Sequence, residues 1–218
     1  MATFTTIETT IELIRSGRPI ILVDSHDREN EGDIVIAAEH ASPESVNFMM
    51  THGRGLVCLS MEAARLNALG IPLLQASPNR KTAFGTAFGM PIDAAEGVTT
   101  GVSAPDRAET IRRAIRSDAQ PTDFVWPGHL HTLAANPRGV LGRPGHTEAS
   151  VDLSRLAGLA AAAVICEVVR PDGSMARRLD LAHFAHVHGL AVASIEDLIA
   201  YRIKTELPSS AQIAAGAA

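Results

Sequence analysis

The sequence predicts an α/β fold, one domain in which helices cover a mixed β-sheet. Short continuous apolar runs of strand length lie among segments whose apolar residues recur at helical spacing. Strands and helices do not alternate strictly, so the sheet is expected to be mixed rather than purely parallel. No linker, repeat or low-complexity block interrupts residues 1–205, and 218 residues can be built on a single core. Residues 206–218, rich in Ser and Ala, are expected to be a disordered tail.

Each element has a local reason. Thr5 or Thr6 can cap a first helix that carries Ile7, Ile11 and Ile14 on one face and ends at Gly17. Residues 19–24 form the continuous apolar run of a buried strand, and residues 33–38 form a second. The charged segment 24–33 joins them. Ser42-Pro43-Glu44 starts a helix with proline at its first position, carrying Val46, Met49 and Met50 towards His52 and Gly53. Residues 56–59 read as a strand, and 61–69 as a short helix closed by Gly70. Residues 75–92 are turn-rich and define no element, and 97–103 are β-branched around two glycines. A helix over 105–117 carries Arg107, Arg112, Arg113 and Arg116, read as a solvated face. The clearest helix spans 147–159, with Val151, Leu153, Leu156 and Leu159 on its apolar side. A strand over 163–169, a helix over 181–188, a strand over 190–194 and a helix over 195–202 complete the chain. His183, His186 and His188 are expected to face solvent.

Composition narrows the function. A net charge of −5 argues against a nucleic-acid partner, and 4% aromatic residues leave little for stacking on bases. Cys58 and Cys166 are too few for a disulfide framework or a four-cysteine zinc site, and both sit in apolar stretches as buried, inert thiols. The N-terminus has no apolar core behind basic residues, so no signal peptide is expected. No apolar run reaches the ~18 residues of a membrane span. A cytoplasmic location without membrane partners is the expectation.

Four constellations can carry chemistry. Residues 24–33 hold five carboxylates in ten positions between two apolar strands. In an extended segment Glu29, Glu31 and Asp33 share one face, where their repulsion calls for a hard divalent cation such as Mg²⁺. A carboxylate left uncoordinated can keep a raised pKa and act as a general base. The plain alternative is a solvated acidic loop. Arg143-Pro144-Gly145-His146-Thr147-Glu148 precedes the clearest helix, with Thr147 as its cap. Unpaired helix N–H groups, a close-approach glycine and an arginine fork make an anion cradle there, unless the segment is simply a capped helix start. His129 and His131 fall on one face of a strand and can share a metal or be two hydrogen-bonded histidines. Glu167 lies in the middle of an apolar strand, where it requires a partner or a proton.

Taken in order, DRENEGD (27–33), EGVTTGVSAPDRAETI (96–111), PGH (127–129), GVLGRPGHTEASVDLSRLAGL (139–159), ICE (165–167), DGSMAR (172–177) and IEDLIAYR (195–202) resemble the 3,4-dihydroxy-2-butanone 4-phosphate synthase family. The resemblance implies a three-layer α/β sandwich and a homodimer with active sites near the subunit interface. It implies a Mg²⁺-dependent (or Mn²⁺-dependent) lyase of riboflavin biosynthesis that converts D-ribulose 5-phosphate to 3,4-dihydroxy-2-butanone 4-phosphate and formate. By motif position, Glu29 and His146 are expected as metal ligands. Arg28, Glu29 and Asp33 are expected to contact substrate, with Arg143, Pro144, Gly145, His146 and Thr147 at its phosphate end. His129 and Glu167 occupy catalytic positions, Glu167 also touching substrate, and Glu31 is a further acid/base. Thr100 and Cys58 are expected to line the pocket.

The chain departs from the family's usual RPGHVFPLRA at 126–135. Trp126 and Ala134 stand where arginines are common, and His131-Thr132 where Phe-Pro is common; substrate preference is expected to depend on this stretch. Pro144 stiffens the anion loop. Without the length or cysteines of a second, zinc-dependent cyclohydrolase domain, a single activity is expected. The competing readings are a paralogue acting on another small sugar phosphate, and a non-catalytic nucleotide- or RNA-binding module.

Overall fold

Ile20, Ile21, Leu22 and Val23 are all buried, yet they serve two different cores. The computed structural model, which describes residues 4–75 and 85–206, shows why. Strands β1 (Ile20–Val23), β2 (Gly32–Ala37), β3 (Cys58–Glu62), β4 (Ala87–Ala94), β5 (Phe124–Ala135), β6 (Ala162–Glu167) and β7 (Ala191–Ser194) form one sheet. Its order is β4-β5-β3-β6-β2-β1-β7. Pairs β1–β7 and β3–β5 are parallel and the others antiparallel, so the sheet is mixed as expected.

Helices cover both faces. Ile20, Leu22, Val35 and Ile165 point to one side, where they meet α1 (Ile7–Arg15), α5 (His146–Leu156) and α7 (Ile195–Glu206). Ile21, Val23, Ile34 and Cys166 point to the other, against α2 (Pro43–Phe48), α3 (Ala63–Ala68), α4 (Ala104–Ile115) and α6 (Arg178–His188). Strands buried on both faces read as unbroken apolar runs, which is why β1, β2 and β6 were legible.

Caps follow the sequence in part. Thr6, not Thr5, accepts the Thr9 N–H at the start of α1, and Ser42 closes a capping box with Ser45 ahead of Pro43. Thr147 does not cap α5. The cap is Gly145, which offers no side-chain bond, and His146 is already helical. Met61 belongs to β3 rather than to the following helix.

β4 was not predicted as a strand, and β5 was predicted only around His129 and His131. Their pairing is broken by two register shifts, and Gly89, Pro91, Pro127 and Gly128 interrupt their pattern. Between the pairs Ile92↔Leu130 and Asp93↔Val125, β4 advances one residue while β5 throws residues 126–129 out of the ladder. Gly128 lies on the β4 backbone there, its missing Cβ position only 2.2 Å from the Ile92 carbonyl carbon. No larger residue fits. His188 is also corrected: it packs against Phe48, His52 and Phe184, while His183 and His186 are exposed. The tail read as disordered lies outside the described residues beyond Glu206.

α7 is tied to α5 by a buried ion pair. Arg202 donates to Asp152 at 2.7 Å, and the same carboxylate accepts the Val140 N–H at 2.8 Å. Asp152→Ala leaves Arg202 with Glu206 of its own helix as counter-charge and the Val140 N–H without an acceptor, and is expected to lower stability by about 1–3 kcal/mol. The midpoint of denaturant unfolding measures this; a shift no larger than that of a surface substitution would show the pair to be dispensable.

Candidate active site

The acidic segment 24–31 folds around one carboxylate. The Asp24 side chain is almost wholly buried and accepts three hydrogen bonds, from Arg28 Nη1 and from the Glu29 and Glu31 N–H groups, each at 2.9 Å. Asn30 turns through φ +55° to complete the loop. Arg177 secures it from outside, donating to the Glu29 and Asn30 carbonyls at 2.7 Å. The strand begins only at Gly32. The two-residue alternation expected over 29–33 therefore does not apply. Even so, Glu29, Glu31 and Asp33 reach one cavity by way of the turn.

That cavity, of about 210 Å³, lies on the α5 face of the sheet. Glu29, Glu31 and Asp33 form one wall, and Arg143, His146 and Thr147 form another. Glu167 and Cys58 come up from the sheet, Asp33 and Glu167 being direct partners across β2 and β6. Glu167 ends its strand rather than sitting mid-strand, and its Oε2 accepts the Leu56 N–H at 2.8 Å. The environment was right and the position was not.

Gly145 lets Arg143 cross the start of α5. A Cβ there would sit 2.2 Å from Arg143 Nη1. Arg143 donates to buried Glu148 at 2.6 Å and to Thr86 Oγ1 at 2.7 Å, which fixes the guanidinium beside the helix N-terminus. Pro144 is exposed and faces the neighbouring outer groove instead of the cavity.

The charges in the cavity oppose one another. His146 Nδ1 lies 3.6 Å from Glu29 Oε2, and Arg28 Nη1 lies 3.1 Å from the same oxygen. Glu29 is held below the usual carboxylate range, chiefly by the His146 imidazole. Burial pushes Glu31 up, with repulsion from Glu29 adding to it. Asp33 is pushed up to about 7, mainly by burial and then by Glu167 and Glu29. Burial alone would lower His146, but Asp33, Glu29 and Asp24 outweigh it and raise the ring to about 9. The Cys58 thiol is pushed up by burial, and Cys166 likewise to about 12, so neither is a ready thiolate.

Asp24, Glu29 and His146 each offer a ligand atom within 4.8 Å of the others, the one such group among the described residues. Asp24 already spends both oxygens on the loop. Glu29 and His146 remain, and His146 Nε2 is buried without a hydrogen-bond partner. A carboxylate oxygen and an orphaned imidazole among further carboxylates suit a divalent cation with oxygen and nitrogen preferences.

Several expected residues lie elsewhere. His129 sits on the segment expelled from β5, its Nδ1 2.7 Å from Asp93 Oδ2, and it does not line the cavity. His131 Nδ1 is buried without a hydrogen-bond partner. Thr100 is exposed on a loop whose neighbours Thr99 and Gly101 are anchored by Asp106. Ala134 is buried in the core on the opposite face, and Trp126 is exposed, so neither replaced arginine would line this cavity. Sequence reasoning assigned nothing to Asp24, Asp93, Glu148 or Arg177. Asp24, Glu148 and Arg177 at least fell inside motifs already singled out; Asp93 carried no signal.

Fold and site together define an α/β protein in which a carboxylate–histidine group that could hold a cation lies beside the start of a helix. The profile of the 3,4-dihydroxy-2-butanone 4-phosphate synthase family matches residues 8–201, and the chain belongs to that family. It is 53% identical to the riboflavin biosynthesis protein RibBA of Aquifex aeolicus, over 93% of this chain and 50% of that one. It is 51% identical to the 3,4-dihydroxy-2-butanone 4-phosphate synthase of Agrobacterium fabrum, over 91% and 92%. The chain thus spans about half the length of some relatives and nearly all of others. Among solved structures, a two-domain synthase from A. baumannii matches at TM-score 0.88 and 50% identity, over 93% of this chain and 59% of that chain. A synthase in complex with two magnesium ions matches at TM-score 0.88 and 39% identity, over 93% and 99%.

At pH 7 a ring raised to about 9 carries a proton, which any metal ligated by His146 would have to displace, because only the neutral imidazole ligates. If this ring holds a divalent cation, Mg²⁺ added to the protein should release a proton and bind more tightly as pH rises towards about 9. Titration calorimetry in two buffers of different ionisation enthalpy reads the release, which His146→Ala should abolish. Equal heats in both buffers would contradict it.

Proposed function

We propose that the chain is a Mg²⁺-dependent lyase, with Mn²⁺ as the substitute ion, that converts D-ribulose 5-phosphate to L-3,4-dihydroxy-2-butanone 4-phosphate and formate in riboflavin biosynthesis. The observation that carries this reading is the single cavity that gathers Glu29, Glu31, Asp33, His146 and Glu167 beside Arg143. Residues 1–205 are read as one domain, acting as a cytoplasmic homodimer on a small molecule, with no nucleic-acid or membrane partner. The continuous sheet supports the first part. No described helix is long and apolar enough to cross a membrane.

In this reading Glu29 and His146 hold the metal, and Arg28 and Asp33 contact the sugar. Arg143, already oriented by Glu148, and the N–H groups at the start of α5, next to Gly145 and Thr147, hold the phosphate. Anchoring that end keeps the reacting carbons in register. When bound, the cation stabilises negative charge developing on adjacent substrate oxygens. Asp33, pushed up to about 7, can keep or take a proton near neutral pH, which suits steps that move protons beside a carbonyl, and burial raises Glu31 in the same direction. Glu167 is oriented towards the same space by the Leu56 N–H.

His129 and Thr100 complete the site from a second copy. Both are exposed and lie outside their own chain's cavity, as residues serving a neighbour's site would.

Pure protein with Mg²⁺ and ribulose 5-phosphate should produce formate; none formed would overturn the proposal. Glu29→Gln or His146→Ala should reduce turnover on the order of 10²–10³-fold. Mixing inactive Glu29→Gln and His129→Ala chains should restore about one quarter of the activity, since half of a random two-fold mixture is heterodimer with one intact site. No recovery after verified subunit exchange would place His129 outside a shared site.

A further inference from the structure

We infer that Asp93 is the positioning residue for His129, fixing its ring proton on Nδ1 and leaving Nε2 as the atom that meets substrate. This rests on the reading of His129 as a catalytic group in a neighbour's cavity.

Asp93 is buried near the end of β4, at the place where β5 leaves the ladder. Its two oxygens hold His129 twice: Oδ1 accepts the His129 backbone N–H at 3.0 Å, and Oδ2 lies 2.7 Å from Nδ1. A carboxylate only accepts hydrogen bonds, so Nδ1 must be the donor. In a neutral imidazole the other nitrogen is then the acceptor. Nε2 makes no hydrogen bond to a described residue, and the ring is 46% exposed. The ring therefore presents a lone pair outward, ready to take a proton from a group outside this chain.

The carboxylate is itself held. Gly101 packs on it so closely that a Cβ there would sit 2.3 Å from Oδ2. Gly128 brings the His129 amide down onto β4. The Thr100 loop, the expelled segment and Asp93 thus form one pedestal whose exposed crest carries His129. Turning the ring over would forfeit a charge-assisted hydrogen bond, so both tautomer and direction are set before any partner arrives.

Asp93→Asn separates this role from a merely structural one. The new side chain must use its carbonyl to accept the His129 backbone N–H, which turns its NH₂ towards Nδ1. Nδ1 becomes the acceptor and the proton moves to Nε2, with the local shape retained. The expected result is a fall in kcat on the order of 10²–10⁴-fold with KM and Mg²⁺ affinity unchanged. The ¹⁵N shifts of the His129 ring should show protonated Nδ1 and bare Nε2 in the parent protein, reversed in the variant. If His129→Ala retains activity, the catalytic reading of His129 fails and this inference falls with it. If His129→Ala is inactive while Asp93→Asn keeps its kcat, only the inference falls. Should Asp93→Asn fail to fold, the parent spectrum decides alone: a ring protonated on Nε2 overturns the assignment.

Discussion

The buried Asp24 carboxylate governs how the acidic segment is used. Five carboxylates between two apolar strands repel one another, and an open loop would let them separate into solvent. By taking three donors from its own loop, Asp24 bends residues 24–31 into a closed turn that delivers Glu29 and Glu31 to the same place as Asp33. The repulsion is then concentrated, and the neighbours answer it. His146 gains a proton, Asp33 moves up towards neutrality, and Arg28 lies against Glu29. In the proposed reading a cation held by Glu29 and His146 would replace the proton on His146, so that affinity for metal and the protonation of His146 would be two faces of one electrostatic requirement.

The fold was legible where burial is two-sided. β1, β2 and β6 announce themselves as unbroken apolar runs because both of their faces are covered. β4 and β5 do not, because β4 is an edge strand containing Pro91 and β5 is half exposed through its first turns of sequence. Proline is tolerated at an edge and reads as a break, so a local pattern cannot reveal a strand whose identity depends on its partner. The start of α5 failed for a related reason. Thr147 has the right chemistry for a cap, but the close crossing of Arg143 demands a glycine, and that glycine takes the cap position.

The site was legible in its parts and not in its wiring. Residue types at 28–33, 143–147 and 167 pointed to metal and anion chemistry, and the structure brings most of them to one cavity. Glu29 and Glu31 arrived by a turn instead of the strand alternation first assumed. Asp24 escaped notice because its whole bonding capacity is spent inside the loop. Asp93 escaped because the residue that gives it meaning lies 36 positions further on. Positions such as these carry no local signature; only the register of β4 against β5 creates the pairing.

The excursion of residues 126–129 also bears on how the molecule stays dispersed. An edge strand offers a row of unsatisfied amide and carbonyl groups to any passing strand. The first part of β4 is already occupied, with Leu74 donating to the Phe88 carbonyl and Met90 to that of Pro72. Beyond it Pro91 has no N–H to offer, and the irregular ladder beside it bends the edge out of the plane that a flat intruder would need. The same distortion that lifts His129 from the sheet thus guards the sheet against growing by accretion.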